Sequence, residues 1–144
     1  MTADDLEQIL ADHPTLCDFG FQSFEFNHRR MHRLTDAEFA KQLESERADL
    51  RSHLDQVNVC LQWLKGVERR KTITTKRSSY GLKHCVERSV GGYVSNGAFI
   101  AAAIFAGFKM KQCEPNAFFN VAEKTIRERQ PLKAPVATGN TRAA

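Results

Sequence analysis

The sequence contains no apolar segment of the length needed to cross a bilayer. Its longest apolar run covers residues 97–108, twelve residues, whereas a membrane-spanning helix needs about 20. The N-terminal segment MTADDLEQIL is acidic where a secretory signal peptide is basic, and no apolar stretch follows it. We therefore expect a cytoplasmic protein that does not enter a membrane.

Cysteine, proline and glycine are all scarce. The four cysteines, at positions 17, 60, 85 and 113, lie 43, 25 and 28 residues apart, so no Cys-x-x-Cys pair exists and a zinc ribbon or finger is excluded. Without a secretory signal we expect free thiols, mostly buried, rather than disulfides. Four prolines and eight glycines in 144 residues also argue against a low-complexity chain, and the length predicts one domain.

Motifs for catalysis are absent as well. The sequence has no phosphate-binding loop, no dinucleotide fingerprint and no paired carboxylates. His84 and Cys85, with Glu87, suggest a Cys/His nucleophile, but sequence neighbours on a helix point about 100° apart and form no dyad by themselves. Cys85 falls on the apolar face of its predicted helix. We expect that the protein is not an enzyme and uses no cofactor.

A histidine pair in the segment NHRRMHR is the one arrangement with metal-ligand spacing. His28 and His32 lie four residues apart and would share a face of a helix. No third ligand is evident, and Arg29, Arg30 and Arg33 would repel a cation. The segment is therefore interpreted as a solvated basic face, and no metal site is predicted.

The charge is unevenly distributed along the chain. Residues 1–64 carry 12 acids and 6 bases, whereas residues 65–144 carry 5 acids and 15 bases. Within the basic segment 65–83, Glu68 is the only acid. This asymmetry favours a nucleic acid or another acidic partner for the C-terminal half. The alternative is that the two halves pack together and their charges partly cancel.

The fold class predicted is mainly α, a compact helical domain over 1–130 built on one long helix. A first helix begins at Thr2, and Thr35 with Glu38 forms a capping box for a second. Apolar residues at helical spacing extend the second helix over about 35–65, with Leu43, Leu50, Val57 and Leu64 seven residues apart. We favour a scaffold role for it. A homodimer through this face is the alternative.

A helical pair and a hairpin follow in the second half. Residues 72–75 are β-branched, which suggests an extended segment or short strand. Ser78 or Ser79 begins a helix to about Val90, and a second helix over 97–106 is apolar all round, so we expect it to be buried. Residues 108–112 and 117–121 are predicted to form a β-hairpin, with a helix starting at Asn116 as the alternative. Residues 123–130 are predicted helical, and 131–144 are predicted to be a disordered tail.

This order of elements resembles a helix-turn-helix with a wing, which indicates DNA binding. The second helix, however, offers no Arg, Lys, Asn or Gln to base edges, so it is no ordinary recognition helix. Contacts would then come from neighbouring cations gripping phosphates without regard to sequence. The candidate binding residues are Arg69, Arg70, Lys71, Lys76, Arg77, Lys83, Arg88, Lys109, Lys111 and Tyr80.

Amphipathic aromatic residues lie near the basic segment. Trp63, Tyr80 and Tyr93 are suited to stacking on bases or to anchoring a protein interface. Trp63 lies beside Leu61 and Leu64, so we interpret it as partly buried with its polar atom satisfied. For Tyr80 and Tyr93 both interpretations stay open.

Three stretches of the second half carry a family resemblance: RSSYGLKHCVER, GGYVSNGAFIAAAIFAGF and PNAFFN. Together they resemble uncharacterised small helical proteins of bacterial plasmids, prophages and integrative elements, over residues 77–120. Proteins of such elements regulate transcription, assist replication or transfer, or block host defence complexes. The resemblance implies an accessory or regulatory protein of a mobile genetic element that binds nucleic acid or a nucleoprotein complex. The alternative that it adds is an inhibitor of a CRISPR or restriction complex.

Overall fold

The computed structural model describes residues 1–29 and 34–129, and they are mainly helical. The predicted fold class is confirmed at that level. The elements, in chain order, are α1 (Ala3–Asp12), β1 (Leu16–Cys17), β2 (Gly20–Phe21), α2 (Phe24–Arg29), α3 (Asp36–Ser52), α4 (Leu54–Leu64), α5 (Ser79–Val90), α6 (Asn96–Phe105), β3 (Met110–Cys113), β4 (Asn116–Phe119) and α7 (Glu123–Arg129).

Helices α1 and α3 begin at the residues that the capping signals predicted. Thr2 and Thr35 both accept a hydrogen bond from the backbone N–H three residues later, and the reciprocal carboxylate bonds of the capping box are present in each. Ser78 and Ser95 cap α5 and α6 through their hydroxyls. Gly91 ends α5 in the left-handed conformation, with a φ of 75° that favours glycine.

The prediction of one long helix over 35–65 is wrong. The helix breaks at His53, whose φ of −101° and ψ of 28° separate α3 from α4. His53 Nδ1 hydrogen-bonds Asp18 Oδ1 at 2.9 Å. From α3, the Arg47 guanidinium donates to backbone carbonyls of the α1–β1 region, including Leu10 at 2.7 Å and Leu16 at 2.8 Å. The break lets α3 pack against β1 and α1 while α4 packs against α6.

The seven-residue repeat lies mostly inside the chain's own core. Leu50, Val57 and Leu64 are buried, and only Leu43 is partly exposed. These side chains therefore support the scaffold role of the α3–α4 region. The homodimer stays a prediction that this face does not support.

Helix α6 lies at the centre of the core. All of its residues from Asn96 to Ala103 are buried, as its apolar composition predicted. It packs against α4, α5 and α1. Gly97 approaches the β1–β2 hairpin so closely that an added Cβ would overlap the Cys17 carbonyl oxygen. A glycine is thus required at this position by backbone proximity.

Two antiparallel hairpins are present where one was predicted. In the second hairpin Met110 pairs with Phe119 and Cys113 with Asn116, so its strands are shorter than the predicted 108–112 and 117–121. Residues 117–119 are strand, which decides against a helix beginning at Asn116. The first hairpin, β1–β2, has two residues in each strand.

The basic segment runs alongside the second hairpin. Residues 72–75 form no strand in the structure, but the Thr74 N–H donates to the Phe119 carbonyl at 3.1 Å. Arg69 and Val121 form an isolated antiparallel bridge. The expected short strand is therefore absent, and the backbone from Arg69 to Thr74 lies beside the end of β4.

Several other expectations have a direct outcome. All four cysteines are free, and only Cys113 is exposed. Within the described ranges no helix has both the length and the apolar character to span a membrane. The predicted tail 131–144, His32 and the side chain of His28 lie outside the described residues.

Candidate nucleic-acid interface

The buried side chain of Asn120 joins the basic segment to the second hairpin. Asn120 is 2% exposed, and its Oδ1 accepts a hydrogen bond from the Lys109 N–H at 2.7 Å. Its Nδ2 donates to the Arg70 carbonyl at 2.8 Å. The Arg70 N–H in turn donates to the Asn120 carbonyl at 2.7 Å. One amide side chain therefore holds two distant stretches of backbone at a defined separation.

Four of the ten candidate residues meet at this junction. Arg69, Arg70, Lys71 and Lys109 are all exposed, and we call them the basic surface. Lys109 Nζ donates to the Lys71 carbonyl at 3.0 Å, which places the ammonium group beside the basic segment. Among residues 1–29 and 34–129, none of the four forms an ion pair with a carboxylate.

Arg69 has a defined orientation within the basic surface. Its guanidinium donates to the Ala106 carbonyl, and its Cζ lies 4.5 Å from the centroid of the Phe108 ring. The carbonyl bond and the cation–π contact fix the plane of the guanidinium group. Arg69 thus has both a side-chain hydrogen bond and an aromatic contact.

A hollow of about 350 Å³ adjoins the basic surface. The exposed ring of Phe105, at the end of α6, lines it. Two exposed cations, Lys65 and Arg69, are among its lining residues. The apolar side chains of Leu61, Leu64 and Phe108 also line the hollow.

Lys111 extends the basic surface along β3. It is exposed and two residues from Lys109, so the two side chains leave the same face of the extended chain. Lys76, farther along the basic segment, is also exposed. Neither residue forms an ion pair in the described part of the chain.

Arg77 has a different role, because it links the segment before α5 to α7. Its guanidinium contacts Glu123 of α7 through Nη2–Oε2 at 2.6 Å and Nε–Oε1 at 2.9 Å. Hydrogen bonds from Arg77 hold the pKa of the Glu123 carboxyl below its ordinary value. Arg77 and Arg88 both donate to the buried Cys85 sulfur. The charge of Arg77 is therefore neutralised within the fold.

Lys83 is buried rather than displayed. It is 5% exposed, and its Nζ lies 3.2 Å from Glu87 Oε2. Burial alone would raise the pKa of the Glu87 carboxyl, but hydrogen bonds from the Val94 N–H, Lys83 and His84 outweigh burial and lower the pKa. The Glu87 carboxyl that faces Lys83 is thus held in its charged form at neutral pH.

Two exposed tyrosines cover the Lys83 ammonium. Nζ lies 5.2 Å from the Tyr80 ring centroid and 4.5 Å from that of Tyr93. These rings line a second pocket of about 490 Å³ on a different part of the molecule, together with Phe19 and Asn96. Lys83 therefore makes cation–π contacts with the two tyrosines and does not belong to the basic surface. Trp63, by contrast, donates from Nε1 to Ser89 Oγ, as predicted, and is fully buried where partial burial was expected.

Sequence reasoning missed Asn120, Phe105 and Phe108. Asn120 lies between the apolar residues Phe119 and Val121, and a polar residue in such a stretch signals a buried hydrogen-bonding role. Phe105 was assigned to the buried helix because the helix is apolar all round, and nothing local indicates that its last turn is exposed.

The described residues contain no group of three His, Cys, Asp or Glu placed to hold a metal ion. Comparisons with family models, curated proteins and solved structures found no match to this chain.

Proposed function

We propose that this protein is a non-enzymatic accessory or regulatory protein that binds nucleic acid, alone or within a nucleoprotein complex, through the basic surface. The observation that carries this proposal is the convergence of four exposed cations without carboxylate partners, from chain segments about 40 residues apart. Other cations of the second half are neutralised inside the fold, Arg77 by Glu123 and Lys83 by Glu87. The four cations of the basic surface are the ones available to bind a polyanion.

The proposed contacts are with phosphates rather than with base pairs. Because α6 is buried up to Ala103, the second helix of the pair has no polar face for the major groove. Phosphate contacts position a protein on nucleic acid without reading its sequence. The resemblance of residues 77–120 to proteins of mobile genetic elements is consistent with this role, and we include such an origin in the proposal.

The test is a binding titration against salt with a matched charge-reversal control. Affinity for a labelled oligonucleotide should fall with salt, with a log–log slope of about −3 to −4 if four phosphates are contacted. Lys71→Glu should weaken binding and reduce the slope by about 0.7 to 0.9. Lys41→Glu changes the net charge equally at an exposed position of α3, and it should leave both quantities near the wild-type values.

Two results would contradict the proposal. One is an affinity that does not change with salt, and the other is an equal effect of Lys71→Glu and Lys41→Glu. If the protein instead binds a purified CRISPR or restriction complex after nuclease treatment, and binds no free oligonucleotide, the inhibitor alternative is supported.

A further inference from the structure

Phe105 is the exception to the burial of α6. The residues from Asn96 to Ala103 are buried, but the Phe105 ring is 44% exposed. It lines the hollow of about 350 Å³ with the apolar side chains of Leu61 and Leu64 beneath. A large aromatic ring in an apolar concavity is therefore open to solvent beside the basic surface.

The lining of this hollow includes positive charge and a guanidinium group with defined contacts. Lys65 and Arg69 both line it, and Arg69 is held in place by the Ala106 carbonyl and the Phe108 ring. Bases stack on aromatic rings and on guanidinium planes alike. Glu68, the only acid of the segment, has its backbone bonded to the α7 region, through Thr125 Oγ1 and the Ala122 N–H.

We propose that the hollow at Phe105 binds an unpaired nucleobase of a single-stranded nucleic acid whose phosphates lie on the basic surface. This inference rests on the proposed function and specifies its ligand. A base inside a duplex is paired and stacked, and it cannot enter a concave site without leaving the helix, whereas an unpaired base enters freely. The positive charge of the lining favours a phosphate-bearing ligand over an uncharged apolar peptide.

The lining also indicates how the base is recognised. The side chains around Phe105 are mostly apolar, together with Lys65 and Arg69. Stacking on such a surface tolerates every base because each base has a π-face. The protein is therefore expected to prefer single strands over duplexes with little preference among sequences.

The experiment compares Phe105→Ala with a matched aromatic control. Fluorescence anisotropy measures the affinity of each protein for labelled oligothymidylate, for a mixed-sequence duplex, and for an oligomer of abasic deoxyribose phosphates of the same length. Phe105→Ala should weaken binding to the single strand by about 10- to 100-fold and leave duplex binding and the salt slope unchanged. Phe105→Tyr should retain binding. Tyr93→Ala removes another exposed ring, in the separate pocket, and should have no effect.

The abasic oligomer isolates the contribution of the base. Wild-type protein should bind it as weakly as Phe105→Ala binds oligothymidylate, and Phe105→Ala should bind both oligomers alike. Melting curves of the variants establish that the fold is kept. If Phe105→Ala binds single strands as tightly as the wild type does, this inference is overturned while the basic surface stands. If no oligonucleotide binds at all, the proposed function itself fails.

Discussion

The amide nitrogen of Asn120 donates to the carbonyl oxygen of Arg70 at 2.8 Å, across 50 residues of chain. The same buried side chain accepts the N–H of Lys109. Arg70 and Lys109 belong to the basic surface, so an uncharged residue holds together the backbone segments that carry two of its cations. The interaction links folding stability to the proposed binding activity.

The first prediction concerns the two hydrogen bonds of Asn120. Asn120→Leu removes both bonds and leaves the Arg70 carbonyl and the Lys109 N–H without this partner. We expect the free energy of unfolding in urea to fall by about 1–3 kcal/mol. Asn120→Asp keeps an acceptor for Lys109 but faces the Arg70 carbonyl with a carboxylate, so it should also be destabilising. Gln112→Ala, an exposed position on the same hairpin, should stay within about 0.5 kcal/mol of wild type. Equal stability of all three variants would show that the Asn120 bonds do not contribute.

A second prediction concerns the buried pair of Lys83 and Glu87. Glu87→Gln removes the carboxylate that faces the ammonium group of Lys83. Only 6% of the Lys83 side chain is exposed. Breaking a buried ion pair on one side costs about 3–5 kcal/mol, and we expect a loss of that order in urea unfolding. Combining Glu87→Gln with Lys83→Met should restore part of the loss, because no unpaired charge then stays buried.

A surface ion pair supplies the control for that experiment. Arg51 Nε lies 2.7 Å from Glu7 Oε2, and the Glu7 side chain is 52% exposed. Glu7→Gln should cost no more than about 1 kcal/mol because water screens the pair. If the double variant at Lys83 and Glu87 proves less stable than Glu87→Gln alone, the explanation from an unpaired buried charge is incorrect.

The third prediction compares two helical glycines. Gly97 in α6 has the Cys17 carbonyl where a Cβ would lie, whereas Gly81 in α5 has only a side-chain carbon at 3.9 Å. Both alanine substitutions gain helix propensity, up to about 1 kcal/mol. Gly81→Ala should therefore raise the melting temperature or leave it unchanged. Gly97→Ala should lower it clearly, because the hairpin must move away. Similar melting temperatures for the two variants would contradict the close approach of α6 to β1.

The fourth prediction concerns the pH dependence of stability. Burial raises the pKa of the Glu46 carboxyl to about 7, and the neighbouring Asp49 and Asp18 carboxylates act in the same direction. Between the ordinary pKa of 4.5 and about 7, the folded state holds a proton that the unfolded chain has lost. The Glu46 contribution to stability therefore falls as the pH rises through this interval.

Glu46→Gln tests this sign directly. The variant cannot ionise, so it should be more stable than wild type at pH 8, and its advantage should shrink as the pH is lowered towards 4.5. Urea unfolding of both proteins at acidic and alkaline pH gives the difference in free energy at each pH. A difference that is constant with pH, or that grows on acidification, would contradict the raised pKa.

The structural details that sequence reasoning missed depend on distant partners. The break at His53 contains no glycine or proline, and it involves Asp18, 35 residues earlier. Periodicity continues through the break because Leu50 and Val57 on either side are both buried. The exposure of Phe105 has a similar origin, since it depends on where α4 and the basic segment lie around the end of α6.

The sequence by itself determined the helix starts at Thr2 and Thr35 and narrowed the start of α5 to Ser78 or Ser79. It also indicated the burial of α6, which holds from Asn96 to Ala103. Cap bonds join atoms three residues apart, and burial follows from composition, so both are encoded locally. Only the tertiary structure decided which cations form the basic surface. Arg77 meets Glu123 46 residues away, whereas Arg70 and Lys109 meet no carboxylate in the described chain. A cation is left uncompensated only when folding places every carboxylate elsewhere, and that placement is a property of the whole fold.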